Sequence, residues 1–279
     1  MLEIKFFKNP LFWLFLGLIL IWIAFLSLPD RNLHLIFCKV GQGDATLISY
    51  RQTQILVDGG PDNSVLDCLA KNMPFWDRNL EIIILTHPEA DHFTGLIEVA
   101  SRYQIDYFLV NRHLNVSSLG FQKLEELINN YKIKNYAPKK GDKINVNPIQ
   151  LSFLWPPKGM NDFKGLNDSS LVFYLSFGQF KALLTGDIPS KIEEQLNLKG
   201  LKEIDLLKVA HHGSKFSTGD YFLSQIKPKL AVICVGKNSF GHPHPDVLGR
   251  LKQRGISYLR TDRESQIEVI ADGYNWFLK

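Results

Sequence analysis

The segment EIIILTHPEADH, residues 81–92, carries the strongest structural signal in this chain of 279 residues. Its first half is an apolar run rich in β-branched residues, which is typical of a strand buried on both faces of a sheet. Its second half holds four potential metal ligands within six positions, namely His87, Glu89, Asp91 and His92. Helical spacing of apolar residues then continues to Arg102. The segment therefore predicts a strand, a turn rich in metal ligands and a helix.

Two further groups of polar residues follow apolar strands later in the chain. LLTGD, residues 183–187, ends in Asp187, and LLKVAHHGS, residues 206–214, contains His211 and His212. Taken alone, Asp187 is explained equally well as a helix cap. Because strand ends on one edge of a layered α/β fold converge in space, we expect the three groups to share one metal site.

Strand and helix patterns alternate along the rest of the sequence. The predicted strands lie at 34–40, 45–49, 54–57, 81–86, 105–110, 149–154, 171–177, 180–185, 206–210 and 230–235, with a last hairpin over 265–277. The predicted helices lie at 91–102, 120–131 and 245–254, with one more between the strands at 206–210 and 230–235. This alternation predicts a mixed α/β domain in which helices cover the faces of sheets.

Composition excludes a disordered or fibrous chain, because hydrophobic residues make up 45% and charged residues 22% of the sequence. The formal net charge of +4 is too mild to indicate a nucleic-acid partner by itself. The cysteines, Cys38, Cys68 and Cys234, are odd in number and far apart. We therefore expect no disulfide framework, and we predict that each cysteine is a small apolar core residue.

The N-terminus contains an uncharged run, LFWLFLGLILIWIAFLSL, at residues 11–28. As a helix it would span about 27 Å, close to the hydrocarbon core of a bilayer. We therefore predict a membrane anchor over residues 1–30 and a separate globular domain over residues 31–279. Lys5 and Lys8 precede the run, which favours a cytoplasmic N-terminus and an extracellular domain. A cleaved signal peptide and a buried core helix are the alternatives.

The ordered phrases of the chain resemble the metallo-β-lactamase family, in particular the extracellular hydrolase domain of competence proteins of the ComEC type. The resemblance covers about residues 33–279. The matching phrases are CKVGQGDATLI (38–48), ILVDGG (55–60), THPEADHFTGL (86–96), NDSSLV (167–172), LLTGDI (183–188), LLKVAHHGSKFST (206–218) and FGHPHPDVL (240–248). It implies a four-layer αββα sandwich with a metal site along one edge.

The resemblance also implies the roles of individual residues. The implied metal ligands are His87, Glu89, Asp91, His92, Asp187 and His211, with Asp168 as a further oxygen ligand. Asp58 and His212 are implied to support these ligands from behind. The chain departs from the family pattern at Glu89, which stands where a histidine is usual, and it has no counterpart of the middle metal histidine. Because this makes the site richer in oxygen, we expect one or two ions of Mn²⁺, with Zn²⁺ as the alternative.

The implied site suits the hydrolysis of a phosphodiester. A divalent metal lowers the pKa of a bound water from about 15.7 towards about 7, and two metals can hold the attacking and leaving oxygens. Asp91 is then expected to orient the water, and His242 to contact the substrate or protonate the leaving group. Ser214, Lys215 and Thr218 follow the histidine pair and are candidate donors to the diester oxygens.

The sequence therefore predicts a membrane-anchored, metal-dependent phosphodiesterase, namely a nuclease that acts on extracellular DNA during DNA uptake. The expected partners are DNA, the membrane and a separate DNA channel protein. Two alternatives stay open: a hydrolase of another ester, such as a phosphorylcholine ester or a lactone, and a non-catalytic DNA-binding module with a degenerate site.

Overall fold

The computed structural model describes residues 9–26, 28–111, 116–160 and 162–279. The strands of these ranges are β1 Leu33–Phe37, β2 Thr46–Tyr50, β3 Thr53–Val57, β4 Asn79–Leu85, β5 Gln104–Val110, β6 Lys134–Tyr136, β7 Lys143–Val146, β8 Ile149–Trp155, β9 Val172–Phe177, β10 Phe180–Leu184, β11 Leu206–Lys208, β12 Leu230–Ile233, β13 Ser257–Arg260, β14 Ile267–Ala271 and β15 Trp276–Leu278. The helices are α1 Pro10–Leu26, α2 Ser64–Asn72, α3 Ala90–Arg102, α4 Leu119–Asn130, α5 Ser190–Glu193, α6 Asp220–Ile226, α7 Pro245–Gln253 and α8 Thr261–Glu264.

These strands form two sheets. The first has the order β15-β14-β1-β2-β3-β4-β5-β6, and the second has the order β13-β12-β11-β10-β9-β8-β7. The run from β3 to β6 is parallel in the first sheet, as is the run from β10 to β13 in the second. Each parallel run therefore presents the carboxyl ends of several strands at one edge, which is where α/β folds assemble their sites.

Three hydrophobic clusters define the layers of the fold. The central cluster lies between the two sheets and includes Phe37 of β1 and Phe173 of β9. A second cluster packs α2, α3 and α4 on the outer face of the first sheet, and a third packs α6 and α7 on the second sheet. The predicted α/β fold is confirmed, and its two sheets lie between two helical layers.

The apolar N-terminal run forms α1, which has 17 residues. In the part of the chain that the structure describes, no helix combines the length and the apolarity needed to cross a membrane. The expectation of a membrane-spanning anchor over residues 1–30 is therefore unsupported by the structure. Lys5 and Lys8, on which the predicted orientation depended, lie outside the described residues.

The cysteine prediction is wrong in one respect, because Cys38 and Cys68 form a disulfide with a Cα–Cα distance of 5.8 Å. They are separated by 30 positions in the chain, but Cys38 follows β1 and Cys68 lies on α2, which packs over the first sheet. Spacing along the chain does not reveal such proximity. Cys234 is buried in the central cluster, which confirms the prediction of an apolar core position.

Candidate metal centre

The centre lies where strands of both sheets end. Asp58 follows β3 and His87 follows β4, so both come from the first sheet. Asp187 follows β10 and His212 follows β11, so both come from the second. His92 lies in the first turn of α3 and contacts residues from both sheets. The three sequence segments that carry the candidate ligands therefore meet at one edge of the fold, as predicted.

His92 is held between two carboxylates. Its Nδ1 lies 2.9 Å from Asp58 Oδ2, and its Nε2 lies 3.4 Å from Asp187 Oδ2. Asp58 is itself fixed, because the backbone N–H and the hydroxyl of Thr86 donate to its two oxygens at 2.8 Å each. Asp58 therefore lies behind His92 and directs the other ring nitrogen towards Asp187, as outer carboxylates do for metal-bound histidines.

His87 completes a group of three ligands with His92 and Asp187. One ligand atom from each lies within 4.8 Å of the others, and the rings of His87 and His92 are 4.2 Å apart. The Nε2 atoms of both histidines are buried without a hydrogen bond within the described part of the chain. Because buried polar atoms normally have a partner, and because imidazole and carboxylate are common ligands of divalent metals, these residues fit such an ion.

His212 forms a second group with Asp91 and His92. Its Nε2 lies 3.2 Å from Asp91 Oδ2 and 3.3 Å from Asp187 Oδ2. Its Nδ1 donates to the carbonyl of Cys234 at 2.9 Å, which leaves Nε2 facing the carboxylates. Asp187 therefore connects the two groups.

Electrostatics at the centre favour a cation. Burial alone lowers the pKa of His92, but the charges of Asp187 and Asp58 outweigh burial and hold this pKa well above its usual range. The same balance, with Asp187 and Asp44 as the charges, raises the pKa of His212 to about 10. Burial raises the pKa of Asp187, but the charges of His212, His92 and Lys208 hold it well below its usual range. The negative potential that retains protons here also attracts a divalent ion, so metal and protons compete.

Two residues of the centre, Asp44 and Lys208, were not predicted from the sequence. The Lys208 ammonium is only 4% exposed, forms an ion pair with Asp44, lies 3.4 Å from Asp187 Oδ1 and donates to the carbonyl of Gly186 at 3.1 Å. Asp44 also lies 3.3 Å from the Nδ1 of His212. The available signals were a lysine at the end of an apolar strand and an aspartate in the phrase GQGD.

Gly43 explains how Asp44 reaches this position. Its φ is +148°, and a Cβ atom there would lie 2.3 Å from the carbonyl oxygen of Asp91. The backbone N–H of Asp44 donates to that same oxygen at 3.2 Å. Glycine therefore allows the loop between β1 and β2 to approach the start of α3 closely.

Three predicted ligands lie outside the ligand groups found among the described residues, namely Glu89, Asp168 and His211. Glu89 is half-buried, with its carboxylate 3.9 Å from the Nε2 of His87. Asp168 is paired with Lys191 at 2.6 Å. The His211 ring lies 6.1 Å from that of His212. Of the two adjacent histidines, His212 is the one whose ring nitrogen lies 3.3 Å from Asp187.

The predicted substrate-binding residues lie in the segment after the histidine pair. Ser214 and Thr218 are buried, whereas Lys215 is exposed. The Oγ of Ser214 accepts a hydrogen bond from the N–H of Phe216 at 3.4 Å, so this hydroxyl oxygen has a donor within its own segment. The ring of His242 lies 5.4 Å from that of His211. Burial and the neighbouring His211 lower the pKa of His242 to about 4, so its ring is neutral at neutral pH.

Comparison with known families identifies the fold. The family model described as Metallo-beta-lactamase superfamily matches residues 38–237. The chain belongs to this superfamily. Among solved structures, the metallo-beta-lactamase fold protein YhfI from Bacillus subtilis matches with a TM-score of 0.57 and 14% identity, over 86% of this chain and 100% of that chain. This likeness concerns the fold alone.

The curated relatives of this superfamily member are competence-related proteins. ComE operon protein 3 of Bacillus subtilis (strain 168) is 31% identical over 249 residues, which are 82% of this chain and 32% of that protein. Competence protein ComA of Neisseria gonorrhoeae is 25% identical over 248 residues, which are 87% of this chain and 33% of that protein. The chain thus spans about a third of the length of these relatives.

Proposed function

We propose that this metallo-beta-lactamase superfamily member is a metal-dependent phosphodiesterase, and that its substrate is DNA handled during uptake. Residues 31–279 form the hydrolase domain in this proposal. Superfamily membership supports a metal-dependent hydrolase, and the name of Competence protein ComA supports DNA uptake as the setting. A separate DNA channel protein is the proposed partner.

The observation that carries the proposal is the buried group of His87, His92 and Asp187, whose histidine Nε2 atoms make no hydrogen bond within the described residues. These residues would hold one ion, and Asp91 and His212 would complete a second position beside Asp187. The mixed nitrogen and oxygen donors suit Mn²⁺ or Zn²⁺. When bound, such an ion acidifies water and polarises a phosphoryl oxygen.

The remaining roles belong to the side chains themselves. Asp58 and the carbonyl of Cys234 accept hydrogen bonds from the Nδ1–H groups of His92 and His212, which keeps each Nε2 turned inwards. Asp91 is half-buried and is the carboxylate that we assign to orient the attacking water. His242 is neutral at pH 7 because its pKa is about 4, so we assign it a contact with the substrate.

The Cys38–Cys68 disulfide supports a location outside the cytoplasm. Disulfides persist in oxidising compartments and are rare in the cytosol, where thiols are kept reduced. This observation is independent of the metal centre, and it fits a domain that meets incoming DNA before entry.

An assay of the purified full chain tests the function. Single-stranded DNA, bis(p-nitrophenyl) phosphate, a phosphorylcholine ester and a lactone are each offered in EDTA and with added Mn²⁺ or Zn²⁺. We expect metal-stimulated cleavage of the DNA and of bis(p-nitrophenyl) phosphate, lost in Asp187→Asn. It should be kept in the matched control Asp142→Asn, whose carboxylate accepts from the hydroxyl of Tyr136 at 2.7 Å. Turnover of the lactone or the phosphorylcholine ester without DNA cleavage would overturn the proposal.

A non-catalytic DNA-binding module is the second candidate. It is favoured by the ion pair between Asp168 and Lys191, which engages one predicted ligand, and by the buried Lys208, which contacts Asp187. In the same assay this candidate predicts DNA binding with neither retained metal nor metal-stimulated turnover.

A further inference from the structure

A row of aromatic rings leads from the candidate metal centre to the protein surface. Starting at His92, it passes through His212, His211 and His242 to Phe240, with successive centroid distances of 5.5, 6.1, 5.4 and 5.8 Å. The last two rings are inclined by only 32°. Phe240 is 71% exposed. The row therefore begins at the centre and ends in a large apolar ring that faces solvent.

The loop that carries Phe240 is held in place by Asn238. The Asn238 amide donates to the carbonyls of Gly236 and His242 at 2.8 Å each, and its oxygen accepts from the N–H groups of Phe240 and His242 at 3.1 and 3.0 Å. Full burial of a phenylalanine side chain contributes about 1.5–3 kcal/mol to folding. A loop fixed by four hydrogen bonds that leaves this ring in water is better explained by a ligand than by folding.

A second exposed ring, Phe216, lies on the segment that follows the histidine pair. It is 67% exposed, and its carbonyl accepts from the N–H of Ser190 at 2.8 Å, which fixes the backbone. The Lys215 ammonium lies 4.9 Å from the centre of the Phe216 ring. Lys237, three positions before Phe240 in the chain, is also exposed. A lysine thus contacts the ring of Phe216, and another precedes Phe240 on the same loop.

Exposed aromatic rings combined with lysines are the chemistry that binds single-stranded nucleic acid. Bases stack on the rings regardless of sequence, and the cations pair with the phosphates. In a duplex the base faces are already stacked on one another, so the rings would have nothing to contact. We propose that Phe240 and Phe216 stack on unpaired bases of a single strand whose phosphodiester lies at the metal centre. The inference rests on the proposed phosphodiesterase function and adds the choice of single over double strands.

Binding measured without metal tests this inference separately from cleavage. The full chain in EDTA is titrated with a fluorescent oligodeoxythymidine, for the wild type and for Phe240→Leu and Phe216→Leu, which keep apolar bulk but remove the ring. We expect each substitution to weaken binding about 5- to 150-fold, the range for one lost base stack. Phe240→Trp should retain the affinity. Tyr274→Leu, at a ring that is 77% exposed on the β14–β15 turn, should leave it unchanged.

An abasic strand separates stacking from general damage to the loop. The wild type should bind an abasic oligonucleotide about as weakly as the double variant Phe240→Leu with Phe216→Leu binds the normal strand, and neither single leucine substitution should weaken binding of the abasic strand much further. Wild-type affinity in both leucine variants would overturn the inference, as would equal losses on normal and abasic strands or tighter binding of duplex. Ring-dependent binding without metal-stimulated cleavage would refute the phosphodiesterase function but support base stacking. Metal-stimulated cleavage with an unchanged KM in both leucine variants would support the phosphodiesterase function but refute base stacking.

Discussion

Replacing Lys208 by methionine is the sharpest test of the electrostatics at the centre. The ammonium is buried between Asp44 and Asp187, so Lys208→Met keeps the length of the side chain but removes from two buried carboxylates the cation that they share. Removing one partner of a buried ion pair costs about 3–5 kcal/mol. For a domain of this size that corresponds to a fall in Tm of about 6–20 °C.

The pH dependence of this contribution has a definite sign. Burial lowers the pKa of Lys208, but the charges of Asp44 and Asp187 outweigh burial and raise it above its ordinary value. A raised lysine pKa stabilises the fold fully below the unfolded pKa of about 10.4, and the stabilisation is lost only as the pH climbs through the folded pKa. The full difference between wild type and variant is therefore expected at pH 7.

Urea unfolding in EDTA, followed by circular dichroism, measures the loss. Lys229→Met is the matched control, because Lys229 pairs with Asp205 at 2.8 Å but is 59% exposed. An exposed pair is worth at most about 1 kcal/mol. The double variant Asp44→Asn with Lys208→Met should regain part of the loss, because one unpaired charge is removed. If Lys208→Met costs no more than Lys229→Met, the reasoning from burial is refuted.

Three further outcomes follow from the same contacts. Burial raises the pKa of Glu193 from its usual 4.5 to about 7, so the folded chain holds this proton more tightly and its contribution to stability falls as the pH rises between these values; urea titrations at pH 5 and pH 8 should show a larger fall in the wild type than in Glu193→Gln, and equal falls would contradict this assignment. Replacing Cys38 and Cys68 together by serine opens a cross-link that spans 30 positions and should cost about 3–4 kcal/mol of unfolding free energy, whereas an unchanged urea midpoint would contradict the disulfide. Because the pKa of His212 is about 10 without metal, metal affinity should rise with pH up to that value and protons should be released on binding. Calorimetry in two buffers of different ionisation enthalpy counts the released protons, and a pH-independent affinity would exclude His212 as a ligand.

The strand, turn and helix around the first ligand cluster could be predicted because local pattern and fold agree there. The helix predicted at 91–102 is observed as Ala90–Arg102, and the helix predicted at 120–131 is observed as Leu119–Asn130. Both helices bury one apolar face against the first sheet, and such a face leaves a periodic trace in the sequence. The same agreement allowed the three polar clusters to be assigned to one edge.

Other elements left no comparable trace. Strands Lys134–Tyr136 and Lys143–Val146 are short and largely exposed, so no alternation marks them. The pairing of Asp44 with Lys208 joins residues from different sheets, and the disulfide joins a loop to a helix. These contacts depend on how the two sheets and the helical layer meet, which is tertiary information that a local pattern does not contain.

The two adjacent histidines after β11, His211 and His212, point in different directions because of the backbone conformation of their turn. His211 and His212 have left-handed φ values of 51° and 52°. A Cβ atom on Gly213 would lie 2.6 Å from the Cβ of Pro243, so a glycine at this position lets the turn pack closely against Pro243. This backbone conformation directs His212 towards Asp91 and Asp187, while His211 lies on the outer side, next to the ring of His242. In the function that we propose, the inner histidine therefore holds the cation, and the outer one lies among the rings that we assign to the DNA strand. The family resemblance predicts His211 as the ligand because it compares positions along the chain, whereas we propose His212 because the turn directs this side chain towards Asp91 and Asp187.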